Sequence, residues 1–213
     1  MNDEAGSEPQ EFLAARLDRL EAIEAIRQLA FGYALAIDAR DLEALAGLYV
    51  EDIRTGEGAG RPALRSVFEV ALRQFTTSAH HVTNHLIEFL SPDDAIGLVN
   101  CRIEHEVGDR WVTATLLYHD RYARRDGTWL FQGRVQRRLY ATDQDDPPVG
   151  ERKFRWPGSE AADSPYYDAL PSWSLFWDGG ESRPWLDAGA ERLVSRLRGT
   201  TRLPPPPNYI FKE

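Results

Sequence analysis

The chain has 213 residues, 42% hydrophobic and 28% charged, with a formal net charge of -9; this fits one domain plus an extension, and six tryptophans favour a substantial core over global disorder. The negative balance excludes a nucleic-acid surface and a basic membrane-surface helix, both of which need clustered Lys and Arg. A single cysteine, Cys101, excludes an intrachain disulfide framework and a zinc site built on several thiolates.

The first ten residues, "MNDEAGSEPQ", are acidic and polar, which predicts a disordered N-terminus without a secretory or transit signal. No apolar run approaches the roughly 20 residues that span a bilayer, and a cytoplasmic protein is expected. Over 11–37, Leu13, Leu17 and Leu20, then Ile26, Leu29, Tyr33 and Ile37, recur at three- and four-residue steps and predict a helix. Asp41 is placed to cap a second, short helix in "DLEALAGLYV", where Tyr49 reads as core. The glycine-rich "RTGEGAGRP" reads as a turn, and a third helix is expected over about 62–76, with Leu64, Val67, Phe68 and Leu72 on one side.

From 79 to 141 the pattern becomes long strands separated by "SPDD", "GD" at Gly108–Asp109 and "DG" at Asp126–Gly127, residues that tolerate the positive φ of tight turns. Three helices followed by an antiparallel meander predict an α+β domain over 11–141, with helices on one face of a curved sheet. Residues 142–213 form an extension: a Pro/Gly/charge linker, the aromatics Tyr166, Tyr167, Trp173, Phe176 and Trp177, an amphipathic helix near 185–198, and "LPPPPN". So aromatic a stretch is expected to pack on the domain or on a neighbouring subunit.

"TTSAHHVTNHLIEF", residues 76–89, holds three of the chain's five histidines. On a regular strand His80 and His81 point to opposite faces. His81 and His85 share a face but stand about 13 Å apart, too far for one ion with ligands near 2.1 Å. General base chemistry is the better reading, because a neutral imidazole accepts a proton and a carboxylate on its other nitrogen fixes the tautomer. No G-x-S-x-G elbow or phosphate-binding glycine loop is present, and Cys101, flanked by apolar alternation, reads as a small core residue.

"AFGYALAIDARDLEALAGLYVED", "HHVTNHLIEF" and "YARRDGTWLFQGR", in that order and spacing, resemble the SnoaL-like branch of the nuclear transport factor 2-like superfamily over about residues 15–141. Its members include scytalone dehydratase, hexachlorocyclohexane dehydrochlorinase, bile acid 7-dehydratase and polyketide cyclases. The resemblance implies an α+β cone around a hydrophobic pocket. It also implies a homotrimer or dimer, a small hydrophobic or aromatic substrate, and chemistry without metal or organic cofactor. Asp38 falls at the family's aspartate and His80 at its catalytic histidine. Tyr33 matches a tyrosine of the bile acid enzyme, Arg134 an arginine of that enzyme and of the dehydrochlorinase, and His105 the second histidine of scytalone dehydratase. Phe31, Asn84 and Tyr118 are assigned to the substrate wall, Tyr118 standing near that dehydratase's pocket asparagine. Ile37 replaces the tyrosine that precedes its aspartate.

These residues imply a cofactor-independent lyase. His80, oriented by Asp38, removes a proton, and water or an aldehyde fragment leaves with help from Arg134, Tyr33 or His105. An isomerase or cyclase using the same pair, and a non-catalytic binding or assembly module, are the alternatives.

Overall fold

The computed structural model describes residues 7–144 except Glu57, together with Val149, Trp173, Phe176 and Trp177. Most of the linker, Tyr166, Tyr167, the helix expected near 185–198 and "LPPPPN" lie outside the described residues.

Helix α1 spans Ser7–Asp38 and so begins inside the stretch expected to be disordered. Its apolar stripe divides in two. Ile26, Leu29 and Ile37 are buried, whereas Leu13, Leu17 and Leu20, expected on the same packed face, are exposed. Arg124 ties α1 to the sheet through both carboxylate oxygens of Asp18.

The end of α1 is a Schellman turn: Asp41 N–H donates to Ala36 and Arg40 N–H to Ile37. The left-handed position, usually glycine, is Arg40, with φ 57°. Helix α2, Leu42–Gly47, follows at once, capped as expected by Asp41 Oδ1 accepting from Ala44 N–H at 3.0 Å. The glycine-rich segment is a two-stranded ribbon, β1 (Arg54–Thr55) against β2 (Gly58–Ala59). Helix α3, Arg61–Leu72, starts from Gly60 with Pro62 in its first turn and ends four residues earlier than its periodicity suggests.

Strands β3 (Ser78–Phe89), β4 (Asp94–Val107), β5 (Arg110–Arg125) and β6 (Thr128–Asp143) form an antiparallel sheet in that order. The expected turns are present, with Gly108, Asp126 and Gly127 at φ 62°, 50° and 76°. Helices α1 to α3 cover the inner face, and α2 is joined to β6 by Val50 N–H to Phe131 and Phe131 N–H to Leu48. The core lies between the two layers and includes Tyr33, Tyr49, Cys101 and Phe131, so Cys101 and Tyr49 are core residues as read from the sequence. Among the described residues no helix is long and apolar enough to cross a membrane.

Two irregularities decide which side chains meet. In β3 the register steps from Val82–Cys101 to His85–Val99, so Thr83 and Asn84 oppose Asn100 alone. This bulge restores His85 to the inner face with His80 and leaves His81 exposed outside; the expectation that His81 and His85 share a face is thereby corrected. A second shift between Arg121 and Tyr122 sets Asp120 opposite Arg134.

Gly97 makes room for Tyr122. A Cβ there would stand 2.9 Å from the Tyr122 ring and hydroxyl and 3.0 Å from the Leu86 carbonyl. Gly97→Ala is therefore expected to cost about 1–3 kcal/mol, read as a lower urea midpoint at unchanged m-value.

Candidate active site

The inner face holds two polar groupings. At one end Asp38, the last residue of α1, meets the start of β3. His80 Nδ1 lies 2.7 Å from Asp38 Oδ1 and His80 N–H donates to Asp38 Oδ2 at 2.8 Å. Ser78 Oγ also donates to Oδ1, at 2.7 Å. Arg40, which can only donate, gives a hydrogen bond to Ser78 Oγ at 2.8 Å, leaving the serine proton for Asp38. Since the Asp38 carboxylate only accepts, His80 carries a proton on Nδ1, and in the neutral ring Nε2 is the acceptor. The His80 and Asp38 side chains are 5% and 13% exposed, dry enough to keep this bond from competition with water.

His105 lies beside the pair, its ring centroid 5.7 Å from that of His80 and stacked on Phe75 at 4.0 Å. Burial first, then the proximity of His80, pushes its pKa down to about 4, so the ring is neutral near pH 7. Its buried Nε2 has no hydrogen-bond partner among the described residues.

The second grouping centres on Asp120, whose side chain is fully buried. Arg134 donates from Nε and Nη2 to its two oxygens, each at 2.7 Å, and Tyr122 donates to Oδ2 at 2.7 Å. With the tyrosine proton thus committed, His85, 3.0 Å from the hydroxyl, donates from Nε2 and stays neutral. The Arg134 guanidinium sits 4.2–4.4 Å from the ring centres of Tyr118, Tyr33 and Phe131. Burial works against its charge, but the hydrogen bonds and charge of Asp120 hold its pKa above the ordinary value. Burial pushes the Tyr33 hydroxyl up to about 12, opposed by Arg134.

Tyr33, Tyr118 and Arg134 line a cavity of about 650 Å³ with Tyr49, Leu64 and Phe68, and with Asp52 and Arg54 among its polar walls. His80, Asp38 and His105 are not in its wall. His80 shares a row with Ile103 and Ala114, whereas Tyr118 lies four residues further along β5, roughly 13 Å away at strand spacing. Sequence reasoning expected one pocket, and the structure gives one sheet face with two stations. Phe31 is 46% exposed, and Asn84 is exposed in the bulge of β3; neither lines the cavity. Asp120, Tyr122, Ser78 and Arg40 were missed, although Tyr118, Asp120 and Tyr122 alternate on one side of a strand in "YHDRY". Among the described residues no three His, Cys, Asp or Glu side chains are grouped to hold a metal ion.

The two half-buried histidines, His85 and His105, set an acid sensitivity. Burial lowers His85, like His105, to about 4. The unfolded chain binds these protons near pH 6.5 while the native state does not. Stability from this source is thus complete above about pH 6.5 and is lost as pH falls towards about 4. Urea midpoints measured from pH 7 to 4 should fall across that window, and less so for His105→Phe.

A curved antiparallel sheet covered on one face by three helices, with its polar groups gathered on that covered face, defines an α+β cone of the nuclear transport factor 2-like class. The SnoaL-like domain family matches residues 18–135, and the chain belongs to that family. It is 31% identical over 126 residues to the gamma-hexachlorocyclohexane dehydrochlorinase of Sphingobium indicum, covering 55% of this chain and 81% of that protein. The structure of hexachlorocyclohexane dehydrochlorinase type 3 from Novosphingobium barchaimii superposes with a TM-score of 0.56 at 29% identity, over 61% of this chain and 94% of that one. A scytalone dehydratase-like protein from Novosphingobium aromaticivorans gives 0.53 at 27% identity, over 62% and 96%. These relatives are lyase-type enzymes by name, and the extension beyond residue 144 lies past the family match.

Proposed function

We propose that the protein is a cofactor-independent lyase acting on a small hydrophobic, ring-containing molecule, with His80 as general base and Asp38 as its orienting carboxylate. The observation behind this reading is the 2.7 Å contact of His80 Nδ1 with an Asp38 carboxylate that Ser78 and the His80 backbone also hold. His80 Nε2 takes a proton from carbon, the C–H electron pair becomes a C=C bond, and the leaving group departs with the electrons of its own bond. Arg134 stays cationic and Tyr33 protonated, so both can donate hydrogen bonds to a polar group of a substrate seated in the cavity. Neutral His105 adds a nitrogen beside the base without repelling the imidazolium as it forms.

The two stations constrain the substrate. A ring seated against Tyr33, Tyr118 and Arg134 must extend towards His80, or the side chains between must part, before its acidic C–H meets Nε2. The aromatic and aliphatic walls and the cavity of about 650 Å³ suit a one- or two-ring compound.

The test is a panel of cyclic alcohols, halides and aryl dimers incubated with wild-type protein and His80→Ala, read by product mass. Loss of water, hydrogen halide or an aldehyde by the wild type, absent with His80→Ala, is the expected result. A product of unchanged mass would make the enzyme an isomerase, and full turnover by His80→Ala would sink the mechanism.

A further inference from the structure

Arg40 occupies a position that an arginine fills at a cost. Its φ of 57° is a conformation that non-glycine residues adopt with about 1 kcal/mol of strain or more. Its side chain is nonetheless 1% exposed. It donates to the carbonyls of Ile37, Phe75 and Thr76, and to Ser78 Oγ. The Ser78 bond continues to Asp38 and thence to His80. Strain at one residue is thus held in place by what its side chain orders: the end of α1, the approach to β3 and the working carboxylate.

The other side of the same guanidinium is covered from far along the chain. Trp173 and Trp177 lie 5.0 and 6.0 Å from it, and Phe75 4.8 Å. Phe176 is buried in the core cluster, where Arg73 reaches both its carbonyl, at 3.2 Å, and its ring, at 4.7 Å. The two indoles pack on each other at 6.0 Å, and Phe176 packs on Trp177 at 5.0 Å. Phe75, in the same cage, is the ring stacked on His105. Both histidines at the dyad end of the face therefore lean on groups that Trp173, Phe176 and Trp177 enclose. An arginine caged by aromatic faces loses water as a competitor for its hydrogen bonds, which makes the bond to Ser78 stronger and better aimed.

We propose that Trp173 and Trp177 are positioning residues of the catalytic pair, acting through Arg40 and Ser78 on Asp38, so that these two residues of the C-terminal extension are part of the site's machinery. The inference rests on the reading of Asp38–His80 as the working pair, but its test needs no substrate. In protein labelled with ¹⁵N-histidine, the proton on His80 Nδ1 is identified as the ring signal absent from His80→Gln, and its exchange with water is measured. Three variants interrupt the line at different points: Trp173→Leu/Trp177→Leu, Arg40→Gly, and Ser78→Ala. Arg40→Gly suits the left-handed turn and keeps the helix stop while removing the relay.

Each variant is expected to speed exchange of that proton about tenfold or more, the scale on which outer partners tune a held ligand group. Exchange within about twofold of wild type in Arg40→Gly and Ser78→Ala overturns the relay. Acceleration in those two but not in the tryptophan variant overturns the role of the extension. Should the double tryptophan change prevent folding, Trp177→Leu alone, at a partly exposed residue, supplies that arm of the test. Faster exchange in all three variants with only products of unchanged mass from the panel would leave the positioning inference standing and the lyase reading refuted, so the two fail separately.

Discussion

Asp38→Asn is expected to lower turnover by about 10²–10⁴-fold, the range general acid–base catalysis supplies, while leaving the protein folded. The replacement is isosteric: an amide oxygen in the place of Oδ2 still accepts from the His80 backbone N–H, while the NH₂ in the place of Oδ1 faces Ser78 Oγ, which can turn to accept, and His80 Nδ1. Two things change. The amide NH₂ can donate to His80 Nδ1, which drives the ring proton to Nε2 and removes the lone pair that meets substrate. The negative charge that stabilises the imidazolium is also gone. The loss should appear in kcat, with little change in KM, because the altered group acts on the base and does not line the cavity that seats the ring. A variant retaining more than about a tenth of wild-type kcat would show that Asp38 serves only to tie α1 to β3.

The sequence displayed the elements well and the meetings between them poorly. Helix periodicity in α1, the Asp41 cap and the Asp126–Gly127 turn each depend on neighbours a few residues apart, and each appears in the structure. The partnership of Asp38 with His80 was legible only through family resemblance, since nothing local in either stretch marks a contact between a helix end and a strand start. The β irregularities at Thr83–Asn84 and at Arg121/Tyr122 were not legible. Counting outward from the Asp126–Gly127 turn pairs Asp120 with Gly133, and only the shift at Arg121/Tyr122 brings it opposite Arg134. The bulge at Thr83–Asn84 likewise moved His85 to the inner face, where simple alternation would not put it. Nothing local marks Arg40, since the left-handed position it fills is usually held by glycine. Phe31, two residues and so about 200° round the helix from buried Tyr33, is 46% exposed.

Asp120→Ala should be strongly destabilising, at about 3–5 kcal/mol out of a total of the order of 5–15. Asp120 and Arg134 are 0% and 4% exposed at the side chain, so removing the carboxylate leaves a buried cation with two donors unanswered and a tyrosine hydroxyl without its acceptor. The rings of Tyr33, Tyr118 and Phe131 soften this but cannot replace two charge-assisted hydrogen bonds. The arithmetic differs if both partners go. Asp120→Leu/Arg134→Met removes the desolvation cost along with the pair, and is expected to unfold at a higher urea concentration than Asp120→Ala. On the proposed mechanism it should nevertheless be inactive, having lost the cationic donor of the cavity wall. Stability regained without activity would mean that the buried ion pair is kept for the site it arms, at some expense to the fold. A loss below about 1 kcal/mol for Asp120→Ala, at unchanged m-value, would mean instead that water reaches Arg134 and that the cavity end of the face is wet.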